Sequence, residues 1–201
     1  MYLSSFRVGD HPDRLLSLAS GRRTAVVANA MDAQSAAERT AGVQREFSDL
    51  GALGLDVAEL DLRQPGLVVQ LEGFDIVWVC GGNVFVLRRV LADSGADDVV
   101  INLIRRNAIV YAGYSAGACV LAPDLTGLER VDNINEVANP LTTGLALLDR
   151  PFVPHVRSPG HPETADCDAV AAAYAEAGRP HWALRDGEVL VVEDCDSEVL
   201  S

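Results

Sequence analysis

Short apolar segments alternate with longer helical segments along most of this 201-residue chain. The apolar segments are rich in Val and Ile and nearly continuous, as in strands that are buried on both faces of a sheet. Strands that alternate with helices form βαβ units, because parallel strands need a long crossover connection. The pattern therefore predicts an α/β fold with a mainly parallel sheet flanked by helices. Strands are predicted at 23–29, 55–61, 74–80 and 108–113.

The segments between and after these strands favour helices. Their apolar residues recur at roughly helical spacing, which predicts helices at 33–50, 84–92, 95–106 and 163–177 and another that begins near residue 115. Residues 181–200, HWALRDGEVLVVEDCDSEVL, predict a C-terminal β-hairpin that turns at Asp186–Gly187. We find no repeat, linker or low-complexity segment, so a single domain is expected over residues 1–201.

The composition limits the class of partner. The net charge of −13 argues against nucleic-acid binding, which needs a surplus of Lys and Arg. No apolar run reaches the roughly 18 residues that a membrane-spanning helix requires. The N-terminal stretch MYLSSFRVGDHPDR lacks the basic and apolar regions of a signal peptide, so a cytoplasmic location is expected.

The cysteines are scattered and have no CxxC or zinc-type spacing. They are therefore expected to be free thiols. Two of them lie in apolar segments and are expected to be buried. The four residues are Cys80 and Cys119, in those apolar segments, and Cys167 and Cys195.

The stretch IVYAGYSAGACVLAPD contains a G-x-S-x-G pattern, Gly113 to Gly117, between a predicted strand and a predicted helix. In a nucleophile elbow, this pattern holds the serine exposed on a sharp turn. The glycines permit a bend that a side chain would prevent. The pattern alone leaves two interpretations of Ser115, a nucleophile or a small residue in a tight turn.

A serine nucleophile needs a base within hydrogen-bond reach and a group that orients this base. His155 and His161 lie in FVPHVRSPGHPE, a loop that follows an apolar run. Sites collect in such loops of open α/β sheets, so His155 is the preferred base. The residues alone do not single out an acid. The carboxylates between Ser115 and His155 are Asp124, Glu129, Asp132, Glu136 and Asp149.

A glycine loop in VCGGNVF follows the strand predicted at 74–80. Glycines allow backbone amides to face a ligand, so this loop could supply one donor of an oxyanion hole. The amide of Ala116, directly after the serine, could supply the other. An ordinary strand-to-helix turn with Asn83 as N-cap is an equally compatible interpretation. The loop does not match the GxGxxG dinucleotide fingerprint.

Three segments together resemble the peptidase E (aspartyl dipeptidase) family of serine peptidases, which is related to cyanophycinase. They are VWVCGGNVFVLRRVL, NAIVYAGYSAGACVLAP and FVPHVRSPGHPE, in the family's order and near its spacing. The resemblance covers about residues 23–163. It implies a flavodoxin-like fold similar to class I glutamine amidotransferases, with a serine in place of their cysteine.

The resemblance also implies roles for single residues. Ser115 corresponds to the nucleophile and His155 to the general base. The amides of Gly82 and Ala116 correspond to the oxyanion hole, and Asn83 to a residue that contacts the substrate.

The acid and the specificity residues match the family less well. The family's acid lies roughly fifteen to eighteen residues after the serine, which favours Asp132. Glu129 stays open, because TGLERVDN replaces the family's Thr-Thr-Asn-Asp stretch. The arginine that binds the substrate's aspartyl carboxylate is replaced, since GHPETADC places Ala165 or Asp166 there. Arg157, in the same loop, is the candidate substitute.

The expected function is therefore a serine peptidase for short peptides, with dipeptides favoured and a preference for Asp-X left open. An esterase or amidase with the same triad, and a non-catalytic member that binds a small ligand, are the alternatives. No metal or organic cofactor is implied. The expected partner is a small peptide substrate, and a homodimer is compatible with the sequence.

Overall fold

A computed structural model describes residues 1–64, 66, 68–193 and 196–201 of the chain. The strands are β1 (Tyr2–Ser4), β2 (Arg23–Val27), β3 (Asp56–Glu59), β4 (Ile76–Val79), β5 (Val110–Tyr114), β6 (Phe152–Val153), β7 (Trp182–Ala183), β8 (Val189–Glu193) and β9 (Asp196–Leu200). The helices are α1 (Pro12–Leu18), α2 (Ala36–Ala52), α3 (Val84–Ser94), α4 (Ala96–Arg105), α5 (Ala116–Cys119) and α6 (Thr164–Glu176).

The main sheet has seven strands in the order β3-β2-β4-β5-β1-β8-β9. All neighbours from β3 to β1 are parallel, while β8 runs antiparallel to both β1 and β9. The predicted α/β fold with a mainly parallel sheet is thus confirmed. The four predicted strands are present as β2 to β5, each within or close to its predicted range.

One interior strand of the sheet, β1, is not predicted by the sequence. β1 lies between β5 and β8, with Leu3 opposite Gly113 on one side and Leu190 on the other. Leu3 is fully buried. Three residues are too few to show a period of two, so the alternation that reveals longer strands is absent here.

The C-terminal hairpin is confirmed, but its predicted turn at Asp186–Gly187 is wrong. β7 pairs in parallel with β6 in a separate two-stranded sheet, not with β8. The hairpin consists of β8 and β9, and its connection, residues 194 and 195, lies outside the described residues. Asp186 and Gly187 instead form the turn that leads from the small sheet into the main sheet. This turn brings Asp186 to the candidate site.

Apolar side chains cover both faces of the sheet. In β4, Val77 and Val79 face the cluster that packs under α3 and α4, whereas Ile76 and Trp78 face the cluster that contacts α1 and α2. This alternation is the period of two expected of a strand that is buried on both faces. Helices thus cover both faces of the sheet, and a site can form at the ends of the strands.

Cys80, Cys119 and Cys167 are buried thiols, as the apolar context of the first two predicts. Cys195 lies outside the described residues. None of the helices in the described part of the chain combines the length and the apolar character of a membrane-spanning segment.

Candidate active site

The predicted nucleophile turn lies between β5 and α5. Ser115 has φ 48° and ψ −119°, a strained conformation for a residue with a Cβ atom. The flanking glycines are required by close packing, since a Cβ at Gly113 or Gly117 would clash with the carbonyl oxygen of Val79 in β4. Ser115 is half-buried at the end of the strand. Backbone strain of this kind is concentrated at functional sites.

The glycine loop packs directly against this turn. A Cβ at Gly81 would lie 2.7 Å from the Tyr114 ring and 3.1 Å from Ser115 Cβ. Gly82 has φ 139°, a conformation that glycine adopts readily. In the described part of the chain, the amides of Gly82 and Ala116 donate to no backbone acceptor. Both amides are therefore available to a ligand, as an oxyanion hole requires.

Asn83 is the N-cap of α3, as the structural interpretation of the loop predicts. Its side-chain oxygen accepts hydrogen bonds from the amides of Phe85 and Val86 at 2.9 and 3.1 Å. Its side-chain nitrogen donates to the carbonyl of Asn133 and to Glu136 Oε2, both at 2.9 Å. A contact with substrate stays a prediction for this residue.

The imidazole of His155 is oriented by Asp186. His155 follows β6 and is 1 % exposed, and its Nδ1 lies 2.7 Å from Asp186 Oδ1. Burial lowers the pKa of His155 from its ordinary value, and the hydrogen bond to Asp186 opposes this shift. A buried histidine held at Nδ1 by a carboxylate has the arrangement of a general base in a catalytic triad.

The pairing of His155 with Asp132 or Glu129, expected from the sequence, is not found. Asp132 Oδ2 accepts the amide hydrogen of Val84 at 2.8 Å, at the start of α3. Glu129 is exposed and accepts the amide hydrogen of Gly127 at 2.6 Å. The candidate carboxylates of the sequence analysis lie between the serine and the histidine, whereas Asp186 follows both in the chain. Its Asp-Gly sequence is also typical of an ordinary turn, so no local signal singled it out.

Three parallel strand ends bring these groups to one edge of the sheet. Tyr114 pairs with Ser4 in β1, and Gly113 pairs with Val79 in β4, so β5 lies between the two. Ser5, directly after β1, accepts the amide hydrogen of His155 at 2.8 Å and bonds to Asp186 Oδ1 at 2.9 Å. Ser115 therefore has the glycine loop on one side and, on the other, the strand end from which Ser5 holds His155 and Asp186.

Aromatic rings cover the histidine. The ring of His161 stacks on that of His155, with centroids 3.6 Å apart and planes at 7°. Phe6 lies edge-on to both imidazoles at 5.8 and 5.3 Å and to Tyr114 at 6.2 Å. Phe6 thus connects the residue before Ser115 with the two histidines. Among the described residues, His155, His161 and Glu163 form a group that could hold a metal ion.

An acidic recess lies beside the glycine loop. This recess is a cavity of about 290 Å³, and its wall includes Gly82, Asn83, Asp132 and Glu136. Burial raises the pKa of Asp132 to about 7, and the neighbouring carboxylates add to the shift. A recess with this charge suits a small cation such as an ammonium group.

Arg157 lines a second cavity, on the histidine side. This cavity has a volume of about 770 Å³ and is also bounded by Phe6, His161 and Asp186. Arg157 is exposed, and its amide donates to Asp168 at 2.8 Å. No carboxylate of the described residues forms a salt bridge with its guanidinium. Asp166, which with Ala165 is a candidate for the position of the family's arginine, pairs with Arg130 at 3.1 Å.

Comparisons with known proteins identify the family of the chain. The model of Peptidase family S51 matches residues 10–200. An uncharacterized peptidase of Listeria monocytogenes is 33% identical over 128 residues, 61% of this chain and 62% of that protein, so the chain aligns with less than two thirds of its length. An uncharacterized peptidase of Listeria innocua is 30% identical over 150 residues, 72% of this chain and 69% of that protein.

Solved structures show the same fold. A Listeria monocytogenes protein assigned to peptidase E superposes with a TM-score of 0.84 at 22% identity, over 99% of this chain and 96% of that one. A peptidase from an acI-B1 actinobacterium gives a TM-score of 0.69 at 16% identity, over 99% and 86%. The resemblance to peptidase E is thereby confirmed. The chain belongs to peptidase family S51.

Proposed function

We propose that the chain is a serine peptidase that hydrolyses short peptides with a free amino terminus, dipeptides above all. Ser115 is the nucleophile, His155 the general base and Asp186 the acid that orients it. The observation that carries the proposal is the 2.7 Å hydrogen bond between His155 Nδ1 and Asp186, at the same edge of the sheet as the strained turn of Ser115.

The reaction follows from these roles. Ser115 Oγ attacks the peptide carbonyl while its proton passes to Nε2 of His155. Asp186 accepts the hydrogen bond from Nδ1 and stabilises the imidazolium that forms. The amides of Gly82 and Ala116 stabilise the oxyanion. His155 then protonates the leaving amine, and water releases the acyl group from Ser115.

The two cavities suggest how a dipeptide would lie. The acidic recess beside Gly82 is on the acyl side of the scissile bond, where Asp132 would bind the substrate's α-ammonium group. The cavity beside Asp186 is on the leaving-group side, because His155 delivers its proton there. Arg157 would bind the free carboxylate of the leaving residue. A substrate with both termini free then satisfies both charges.

The test uses three matched variants on a panel of free dipeptides, N-acetylated dipeptides and p-nitrophenyl esters. Ser115→Ala should abolish turnover and labelling by a fluorophosphonate while the fold is retained. Asp186→Asn should lower kcat by about 10⁴-fold, as expected when a triad acid no longer fixes the imidazole tautomer. Asp132→Asn should keep kcat and raise KM for free dipeptides alone.

Other outcomes would point elsewhere. Full activity of Ser115→Ala would exclude the nucleophile assignment. Turnover of esters but not of peptides would favour the esterase alternative. Absence of both turnover and labelling in the unaltered protein would favour a non-catalytic member.

A further inference from the structure

The loop between β6 and α6 contains a group of metal-ligating side chains that the proposed reaction uses only in part. His155, His161 and Glu163 each offer one ligand atom, and these atoms lie within 4.8 Å of one another. The peptidase reaction needs only His155. Two imidazoles and one carboxylate form the ligand set of many zinc sites that keep an open coordination position.

His155 is prepared for metal binding by the same hydrogen bond that orients it as a base. With Nδ1 bonded to Asp186, the lone pair of the neutral ring is on Nε2. In most metal-binding histidines, the N–H group of the other ring nitrogen donates a hydrogen bond to an acceptor such as a carboxylate.

His161 and Glu163 are accessible and weakly held. Both are half-buried, and His161 Nδ1 accepts only the amide hydrogen of Glu163, at 3.3 Å. The lone pairs of imidazole nitrogens lie in the ring plane, and the stacked rings are nearly parallel. To share an ion with His155, the His161 ring must therefore turn out of the stack, and this rotation is part of the proposal.

We propose that His155, His161 and Glu163 bind a transition-metal ion of the Zn²⁺ type, and that this ion inhibits the peptidase. The inhibitory effect rests on the proposed function, whereas the binding site does not. An ion on Nε2 of His155 occupies the lone pair that must receive the proton of Ser115. Hard cations such as Mg²⁺ prefer oxygen ligands and should not compete for a site with two imidazoles.

Binding is measured first on Ser115→Ala, by calorimetry with Zn²⁺ and by absorption spectroscopy with Co²⁺. One ion should bind per chain, unaffected by excess Mg²⁺, and Co²⁺ should give the intense visible bands of a four-coordinate site. Loss of an outer-shell partner alone costs about 10–100-fold in metal affinity. Removal of a ligand by His161→Ala or by Glu163→Gln should therefore weaken binding by about 100-fold or more.

His181→Ala is the matched control, because His181 bonds to the carbonyl of Arg179 and lies outside the group. It should bind Zn²⁺ as tightly as the parent. In the active protein, Zn²⁺ should inhibit dipeptide hydrolysis, EDTA should restore it, and His161→Ala should need about 100-fold more Zn²⁺. Equal affinity in His161→Ala, Glu163→Gln and the parent, or no binding by the parent, would overturn the proposal. Tight binding to a protein without peptidase activity would reject only the proposed function.

Discussion

Burial shifts the pKa values of His155 and Asp132 in opposite directions, toward the neutral form of each side chain. For His155 the shift is downward from 6.5, so the base is unprotonated at neutral pH. For Asp132 it is upward, to about 7, so the carboxyl is only partly ionised there. The group proposed for proton transfer and the group proposed for ammonium binding therefore titrate separately.

This separation predicts different pH profiles for kcat/KM and kcat. Asp132 is charged above its pKa and loses its charge as the pH falls through about 7. We expect kcat/KM for a free dipeptide to fall as the pH drops through this value, because kcat/KM reports the ionisation of the free enzyme and the uncharged carboxyl binds the ammonium group less well. The acid limb of kcat should lie lower, below the ordinary histidine pKa of 6.5, because it depends on His155 in the complex.

Asp132→Asn provides the control for this prediction. It should remove the inflection near pH 7 from kcat/KM and leave the acid limb of kcat in place. An N-acetylated dipeptide, which has no ammonium group, should lack the same inflection with the unaltered protein. If the inflection persists in Asp132→Asn, the titrating group is another residue.

At the scale of elements, a buried side chain of α2, Glu46, joins the ends of β4 and β5, which precede the glycine loop and Ser115. Glu46 in α2 is 2 % exposed and accepts hydrogen bonds from Trp78 Nε1 in β4 and from Tyr114 OH in β5, both at 2.8 Å. Tyr114 precedes Ser115, and Trp78 lies shortly before Gly82. The spacing between the nucleophile and the oxyanion amide thus depends on a helix on the face of the sheet.

Glu46→Leu should therefore impair both stability and turnover. It leaves the Trp78 N–H and the Tyr114 O–H without an acceptor, and each buried unsatisfied donor costs about 1–3 kcal/mol. We expect urea unfolding to show a loss of about 2–5 kcal/mol and kcat to fall more than KM rises. Glu46→Gln, which keeps an acceptor oxygen, should recover part of both. A large loss of stability with unchanged kcat would show that the link does not set the catalytic geometry.

The strands of the βαβ units were predictable because each has at least four residues and lies in a longer segment rich in apolar residues. β1 was not, because Tyr2–Ser4 is too short to show periodicity and its position depends on pairing with β5 and β8. Ser115 and the glycine loop were found because sharp turns leave a glycine pattern in the sequence. Asp186 was not, because a carboxylate in an Asp-Gly turn acquires its role only through tertiary contacts with His155 and Ser5.

At the scale of the whole molecule, the residue that follows the first strand, β1, holds distant parts of the chain together at the site. The Ser5 hydroxyl bonds to two residues that are far away in the chain. His155 is 150 positions after Ser5, and Asp186 is 181 positions after it. Ser5 is fully buried directly after β1, which is held between β5 and β8. One hydroxyl group thus connects the end of β1 to both His155 and Asp186.

Ser5→Ala should separate this role from ordinary packing. It removes the acceptor of the His155 amide and a hydrogen bond of Asp186, so we expect about 1–3 kcal/mol lower stability and a lower kcat. Ser4→Ala is the matched control, because Ser4 is equally buried but bonds to the carbonyl of Arg7. It should lower the melting temperature with little effect on kcat. Thermal unfolding and dipeptide kinetics on both variants decide the matter. If Ser5→Ala and Ser4→Ala lower kcat equally, the loss reflects a general loosening of β1. A loss of kcat confined to Ser5→Ala would mean that Ser5, at the end of β1, positions His155 and Asp186 for catalysis.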